Sequence, residues 1–198
     1  MGDKIKVIMD CDPGIDDGIA LAYAAAHQDE LELLAVTTSA GSTRIERVTK
    51  NALELVDFYG LKVPVAGGQD RPLVKAAIYA EEFHGETGLG HCVLPEAKSE
   101  AASDNAVLFI RDILNAMPEG EQVVMIETAP MTNLALLLKV FPEIKNKIRK
   151  IVFTGGAAKG GNITPAAEFN IYADPEAAKI VFDSGIPLIM CGLDATLK

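Results

Sequence analysis

Asp10-Cys11-Asp12-Pro13-Gly14-Ile15-Asp16-Asp17 packs four carboxylates into eight residues, between the apolar run Ile5-Lys6-Val7-Ile8-Met9 and a second one, Ile19-Ala20-Leu21-Ala22-Tyr23-Ala24. The first run reads as a buried strand and the second as a helix. Side chains alternate along a strand, so Asp10 and Asp12 are expected on one face at its carboxyl end. Pro13-Gly14 turns the backbone, which brings Asp16 and Asp17 into the first helical turn, beside its positive dipole end. Left bare, carboxylates this close cannot all ionise cheaply. A hard cation with oxygen ligands removes the conflict. The plainer reading is that one or two of these Asp residues cap the helix and the others are solvated, and capping by one member is compatible with a bound cation.

Outward from this stretch, strand-like runs alternate with helical patterns. That alternation is the signature of an α/β fold, a mainly parallel open sheet flanked by helices, Rossmann-like and here a single domain over residues 1–198. Further strands are expected at Leu31–Val36, Val63–Val65, Gln122–Ile126, Ile151–Phe153 and Ile186–Met190. Helices are expected at Ile45–Tyr59, Asn105–Met117 (capped by Ser103 or Asp104), Met131–Val140 and from Pro175, with residues 69–103 irregular between them. The polar clusters fall just after the strands: Asp10–Asp17, Thr37–Ser42, Thr128, and Thr154 onward. In open α/β sheets ligands bind outside the carboxyl ends of the strands, so these distant segments are expected to meet at one edge.

Composition narrows the partners. The chain has 198 residues, 49% of them hydrophobic and 23% charged, with a net charge of −10, so a full core is expected while nucleic acid and anionic membranes are poor partners. Cys11, Cys92 and Cys191 are scattered and odd in number, which fits a reducing compartment, the cytoplasm, and gives no zinc site. Cys11 lies between two aspartates whose charge disfavours a thiolate, so it is not read as a nucleophile. Met1-Gly2-Asp3 leads directly into the first strand without a signal-peptide pattern, and no apolar stretch reaches membrane-spanning length.

Two glycine-rich loops remain. Gly155-Gly156-Ala157-Ala158-Lys159-Gly160-Gly161-Asn162 fails the P-loop template, because Gly160 is followed by Gly161-Asn162 instead of Lys-Ser/Thr. Its glycines read as a flexible exit from a strand. Asn162, Glu168 and Asn170 supply acceptors and amide donors suited to sugar hydroxyls, although each alone is an ordinary loop hydrogen bonder. His84-Gly85-Glu86-Thr87-Gly88-Leu89-Gly90-His91 carries two of the three histidines. His84 is open to roles as base, ligand or bystander; His91 reads as a bystander, and His27, at a helix end, is assigned no chemistry.

The acidic stretch resembles the N-terminal signature of the inosine-uridine-preferring nucleoside hydrolases. So do Leu34-Ala35-Val36-Thr37-Thr38, His84 to Gly90, Thr132-Asn133-Leu134-Ala135, Ala167-Glu168-Phe169-Asn170 and Gly192-Leu193-Asp194-Ala195-Thr196, in order along the whole chain. The resemblance implies one Ca²⁺ and hydrolysis of the N-glycosidic bond of a small-molecule ribonucleoside, giving ribose and free base, in a homo-oligomer. It implies that Asp12 is a calcium ligand and the base for the attacking water, and that Asp17 and the Thr128 carbonyl are further ligands. Asp16, Asn162, Glu168 and Asn170 would hold the sugar, His84 would line the base pocket, and Asp10 would orient the ligands from behind.

The chain departs from the family pattern in three places. Family members continue well past Gly192-Leu193-Asp194 with a histidine-aspartate pair, so this chain is expected to be a C-terminally truncated, split or cleaved form whose remainder is a complementary C-terminal chain. Ser42 stands where a substrate-contacting asparagine is common, and Thr154 where a methionine is frequent. Purine versus pyrimidine preference stays open. The alternative function is a non-catalytic calcium- or ribose-binding fragment that needs the missing segment for turnover. An aspartate-nucleophile phosphatase also begins with an Asp-x-Asp strand end, but Pro13-Gly14 and the Asp16-Asp17 pair speak against it.

Overall fold

The computed structural model describes residues 4–197; Met1-Gly2-Asp3, on which the N-terminal reading rested, and Lys198 lie outside the described residues. Six parallel strands form one sheet in the order β3-β2-β1-β4-β5-β6. They are β1 (Ile5–Cys11), β2 (Leu31–Thr38), β3 (Val65–Ala66), β4 (Val123–Glu127), β5 (Ile148–Thr154) and β6 (Leu188–Cys191). The longer helices are α1 (Ile15–Ala26), α2 (Ile45–Phe58), α4 (Ala106–Ala116), α5 (Thr132–Val140) and α7 (Pro175–Phe182), and the shorter ones are α3 (Glu81–His84), α6 (Phe169–Ala173) and α8 (Leu193–Thr196). No helix among the described residues is long and apolar enough to cross a membrane.

Parallel neighbours need crossover connections, and right-handed crossovers put a helix above or below the sheet according to the direction in which the chain steps. From β1 the chain steps one way, through β2 to β3. After β3 it returns across the sheet and steps the other way, through β4, β5 and β6. Helices α1 and α2 therefore cover one face, packing Leu21, Ala52, Leu55 and Val56 onto Met9, Val36 and Val65. Helices α4, α5 and α7 cover the other, packing Ile110, Leu134 and Val181 onto Ile8, Met125 and Ile151. The direction reverses between β1 and β4, and in open α/β sheets the crevice at the carboxyl ends of such a pair is the usual place for a ligand.

Several boundaries differ from the sequence reading for identifiable reasons. β1 and β2 run on through Asp10-Cys11 and Thr37-Thr38, because these polar side chains are satisfied by one another inside the sheet. Asn105, not Ser103 or Asp104, caps α4: its Oδ1 accepts from the Leu108 N–H at 3.1 Å, while Ser103 Oγ accepts from the Asn105 N–H. Helix α6 was not anticipated, since its first turn is held by Glu168, whose two oxygens accept the Asn170 and Ile171 N–H groups.

The fully buried Asp174 ties three segments together. It caps α7 through the Ala177 N–H at 3.0 Å, and its other oxygen accepts from the Leu73 N–H at 2.9 Å and the Thr132 hydroxyl at 2.7 Å. Replacing it with Ala removes a cap and strands buried donors. Asp174→Ala is expected to cost about 2–4 kcal/mol of stability in urea denaturation, and Asp174→Asn distinctly less.

Candidate active site

Asp12 is the first residue past the end of β1, and the loop after β2 grips it. The Ser42 N–H donates to Asp12 Oδ2, and the Ser42 hydroxyl donates to the Asp12 carbonyl. The loop approaches this closely because residue 41 is glycine: a Cβ there would collide with the Asp12 carboxylate and sit 2.9 Å from Pro130. At the start of α1 the Asp17 Oδ2 accepts from the Gly14 N–H at 3.2 Å, while Asp17 Oδ1 is buried with no hydrogen-bond partner. Asp16, on the next position of the same turn, is exposed.

Asp10 does not share this space, contrary to the expectation that it would point with Asp12. It is buried inside the sheet, where it accepts from the Thr37 hydroxyl and from Asn133 Nδ2 at 2.9 Å. The same Asn133 amide donates to the Thr38 carbonyl at 2.9 Å. Directly across from Asp10 on β4 lies Glu127, fully buried, with neither carboxyl oxygen hydrogen-bonded. Asp12, Asp16 and Asp17 therefore line the cavity from this side, and Asp10 and Glu127 lie apart from it, buried in the sheet.

Burial sets the charge state of this group. It pushes the Asp10 carboxyl up to about 6, a rise opposed by the Thr37 and Asn133 hydrogen bonds. It drives Asp12 well above the usual carboxylate range, with the charge of Asp17 adding to the effect. Asp17 rises to about 7 through burial and then the charge of Asp16. Glu127 is driven well above its ordinary value by burial and by Asp10. Buried carboxyls facing one another either hold protons or require a counter-charge. The Cys11 thiol is raised by the same burial and the surrounding carboxylates, and its Sγ–H points to the Thr37 carbonyl, in keeping with an inert thiol.

The opposite wall comes from β4, β5 and α6. Asn170 Nδ2 donates to the carbonyls of Thr128 and Thr154, at 2.9 and 3.0 Å, bridging the ends of two strands. Glu168, almost fully buried, also accepts from the Gly156 N–H at 2.9 Å, so it fastens the glycine loop to α6. Asn162 Oδ1 accepts from the Phe169 N–H at 2.9 Å, which leaves its amide NH₂ end for a ligand. On the near side, His84 Nδ1 accepts from the Ile15 N–H at 3.3 Å. That bond assigns the neutral ring its proton on Nε2, a donor. Asn51 binds the acidic turn to this histidine loop by donating to the Pro13 and Thr87 carbonyls, at 3.0 and 2.8 Å.

These walls enclose a cavity of about 470 Å³, lined by Asp12, Asp16, Asp17, His84 and Thr128, together with Asn162, Glu168 and Asn170. The sequence had singled out all of these. Ser42 is the exception, since it does not line the cavity and its polar groups are spent on Asp12. Sequence reasoning gave no role to Asn133, noted only within the Thr132-Asn133-Leu134-Ala135 stretch, and passed over Glu127, one residue beyond the strand expected at Gln122–Ile126.

Among the described residues no three His, Cys, Asp or Glu side chains form a ready-made metal cage. What does fit a cation is the unpartnered, buried Asp17 Oδ1 beside a second buried carboxyl, Asp12, with the Thr128 carbonyl lining the same cavity. An all-oxygen donor set suits a hard ion.

Comparison with known proteins places this architecture. Residues 7–198 match the family model described as inosine-uridine preferring nucleoside hydrolase. The chain is 51% identical over 191 residues to the pyrimidine-specific ribonucleoside hydrolase RihA of Photobacterium profundum, covering 96% of this chain and 61% of that protein. It is 46% identical over 193 residues to the non-specific ribonucleoside hydrolase RihC of Escherichia fergusonii, covering 98% and 62%. Among solved structures it superimposes on a purine-preferring ribonucleoside hydrolase from Gardnerella vaginalis with a TM-score of 0.88 and 38% identity, covering 96% of this chain and 61% of that one. A plant nucleoside hydrolase gives a TM-score of 0.89 with 35% identity, covering 97% and 61%. The chain thus spans about three-fifths of the length of the relatives it matches. With the acidic turn, the switch-point cavity and the sequence match in agreement, the chain belongs to the inosine-uridine preferring nucleoside hydrolase family.

Proposed function

We propose that this chain carries most of the active site of a calcium-dependent hydrolase that splits the N-glycosidic bond of ribonucleosides into ribose and free base. The observation that carries the reading is the pair of buried, mutually strained carboxyls, Asp12 and Asp17, one with an oxygen lacking any partner. Calcium would be held by Asp12, Asp17 and the Thr128 carbonyl. When bound, it would offset the charge of the two carboxylates and lower the pKa of a coordinated water.

The chain's own residues divide the remaining work. Asp12, steadied by the Ser42 N–H, accepts the proton of the attacking water. The water oxygen bonds to the anomeric carbon while the carbon–nitrogen bond breaks and its electron pair leaves with the base. Positive charge that develops on the sugar is stabilised by the surrounding carboxylates. Asp16 and the Asn162 amide hold ribose hydroxyls. Glu168 and Asn170 support that grip by fixing α6 and the strand ends, and Asn170 shares the Thr128 carbonyl with the proposed ion. His84 presents its Nε2–H to the base. Asp10, anchored by Thr37 and Asn133, holds the strand end that aims Asp12.

The named relatives include pyrimidine-specific, non-specific and purine-preferring enzymes. A homo-oligomer in the cytoplasm, with a complementary chain supplying the part that the longer relatives possess, completes the proposal. The three free cysteines suit that compartment.

Reducing sugar released from inosine and uridine, with calcium and with chelator, tests the reaction. Turnover that chelator abolishes and calcium restores supports the reading, and turnover indifferent to chelator contradicts it. Calcium binding without turnover would instead indicate the binding-fragment alternative. Asp12→Asn is expected to lower kcat by about 10²–10⁴-fold and to abolish terbium luminescence at the site. Asn162→Ala is expected to raise KM while leaving terbium binding intact.

A further inference from the structure

We infer that Asn51, on α2 and outside the cavity, is a positioning residue that sets where His84 stands over the acidic turn, and through His84 the grip on the nucleobase. This deepens the proposed function and rests on its placing of His84 at the base.

His84 has little of its own to hold it. It ends the four-residue helix α3, none of whose side chains is buried. Its ring is half-buried, and its one side-chain hydrogen bond among the described residues comes from the Ile15 N–H at 3.3 Å, longer than a strong bond of that kind. The position is therefore borrowed from the two ends of the loop. At the near end the Ala80 N–H donates to the Gly41 and Ser42 carbonyls, at 3.2 and 3.1 Å, which ties the start of α3 to the segment that grips Asp12. At the far end stands Asn51.

Asn51 is 2% exposed in the middle of α2, a place where a polar side chain needs partners. Its Nδ2 donates to the Pro13 carbonyl at 3.0 Å and to the Thr87 carbonyl at 2.8 Å. Pro13 belongs to the acidic turn and Thr87 to the histidine loop, so one amide group spans the gap between them. Both partners are acceptors, and only the NH₂ end of the side chain can face them. Gly88 keeps the joint tight. Its φ of +80° disfavours any side chain, and a Cβ there would come 2.8 Å from Asn51 Nδ2 and 3.2 Å from the Pro13 carbonyl oxygen.

From this joint the loop closes back on the histidine. The Gly88 N–H donates to the Gly85 carbonyl at 3.0 Å, and the Gly90 N–H to the His84 carbonyl at 2.7 Å. Fixing Thr87 therefore fixes His84. The acidic turn has other supports, being held between β1 and α1 with the Gly14 N–H donating to Asp17. Loss of the Asn51 amide thus frees the loop and leaves the turn in place. A side chain that must meet a ligand closely depends on such supports.

The test uses ¹⁵N-histidine-labelled protein without substrate, at a pH where imidazoles are neutral. The His84 signals, assigned by their loss in His84→Ala, are expected to show one tautomer, with the proton on Nε2. Asn51→Ala is expected to mix the two tautomers and to speed amide exchange at Gly88 and Gly90 by about tenfold or more. Gly88→Ala, which forces the same joint apart, should do likewise. Leu114→Ala, in the core of the other face, lowers stability without touching the joint and should leave both readings unchanged. In Asn51→Ala and Gly88→Ala the dissociation constant for inosine should rise about tenfold, the scale of one lost hydrogen bond, with terbium binding unchanged. A single His84 tautomer with unaltered exchange in Asn51→Ala, an equal change in Leu114→Ala, or terbium binding lost together with inosine would each overturn the inference. Mixed His84 tautomers with inosine binding unchanged would leave the positioning role standing and count against the proposed placing of His84 at the base.

Discussion

The structure turns on the cost of burying acid. Asp10, Asp12, Asp17 and Glu127 all sit at the carboxyl ends of two adjacent strands with almost no access to water. An unpaired carboxylate in such a place is far more expensive than one on the surface. Asp10 is offset by donors from β2 and α5, and one oxygen each of Asp12 and Asp17 by backbone N–H groups. The remainder, Asp17 Oδ1 at the cavity and both oxygens of Glu127 inside the sheet, has no hydrogen-bond partner among the described residues. A stable protein does not keep such a group without use for it, and a hard cation is the simplest use.

The scaffold explains why that arrangement is available here. At the switch point the chain leaves β1 toward one face and β4 toward the other, so the two loops part and a crevice opens between them. Donors on one side come from the turn into α1 and on the other from β4, β5 and α6. The links across are few and specific: Asn133 between α5 and two strands, Asn170 between Thr128 and Thr154, and Asp174 beneath them. Each is a short polar side chain on a rigid element, which suits a site whose geometry must be held closely.

Much of this was legible from residues alone, for reasons that differ by element. Asp12 and Asp17 could be read because strand, turn and helix signals surround them at fixed spacing. The sheet could be read because its strands are apolar runs separated by helical patterns. Asn105 as the α4 cap was misplaced, since Ser103, Asp104 and Asn105 are all capping residues and only the backbone path selects among them. Ser42 was placed against substrate because its position pointed that way, whereas the close approach at Gly41 turns it onto Asp12. Glu127 gave no signal, because a glutamate after an apolar strand ordinarily reaches solvent. The exposure at the sheet edge was equally hidden: Val152 and Ile189 look like core strand residues, yet Val152 is only half-buried and Ile189 is 46% exposed.

The cation itself is the account's centre, and it can be located directly. Crystals grown in saturating calcium should show an anomalous difference peak between the Asp12 and Asp17 carboxylates and the Thr128 carbonyl, with oxygen distances of about 2.3–2.6 Å. Ordered water alone at that position, in a crystal where both carboxyls are well defined, would contradict the account.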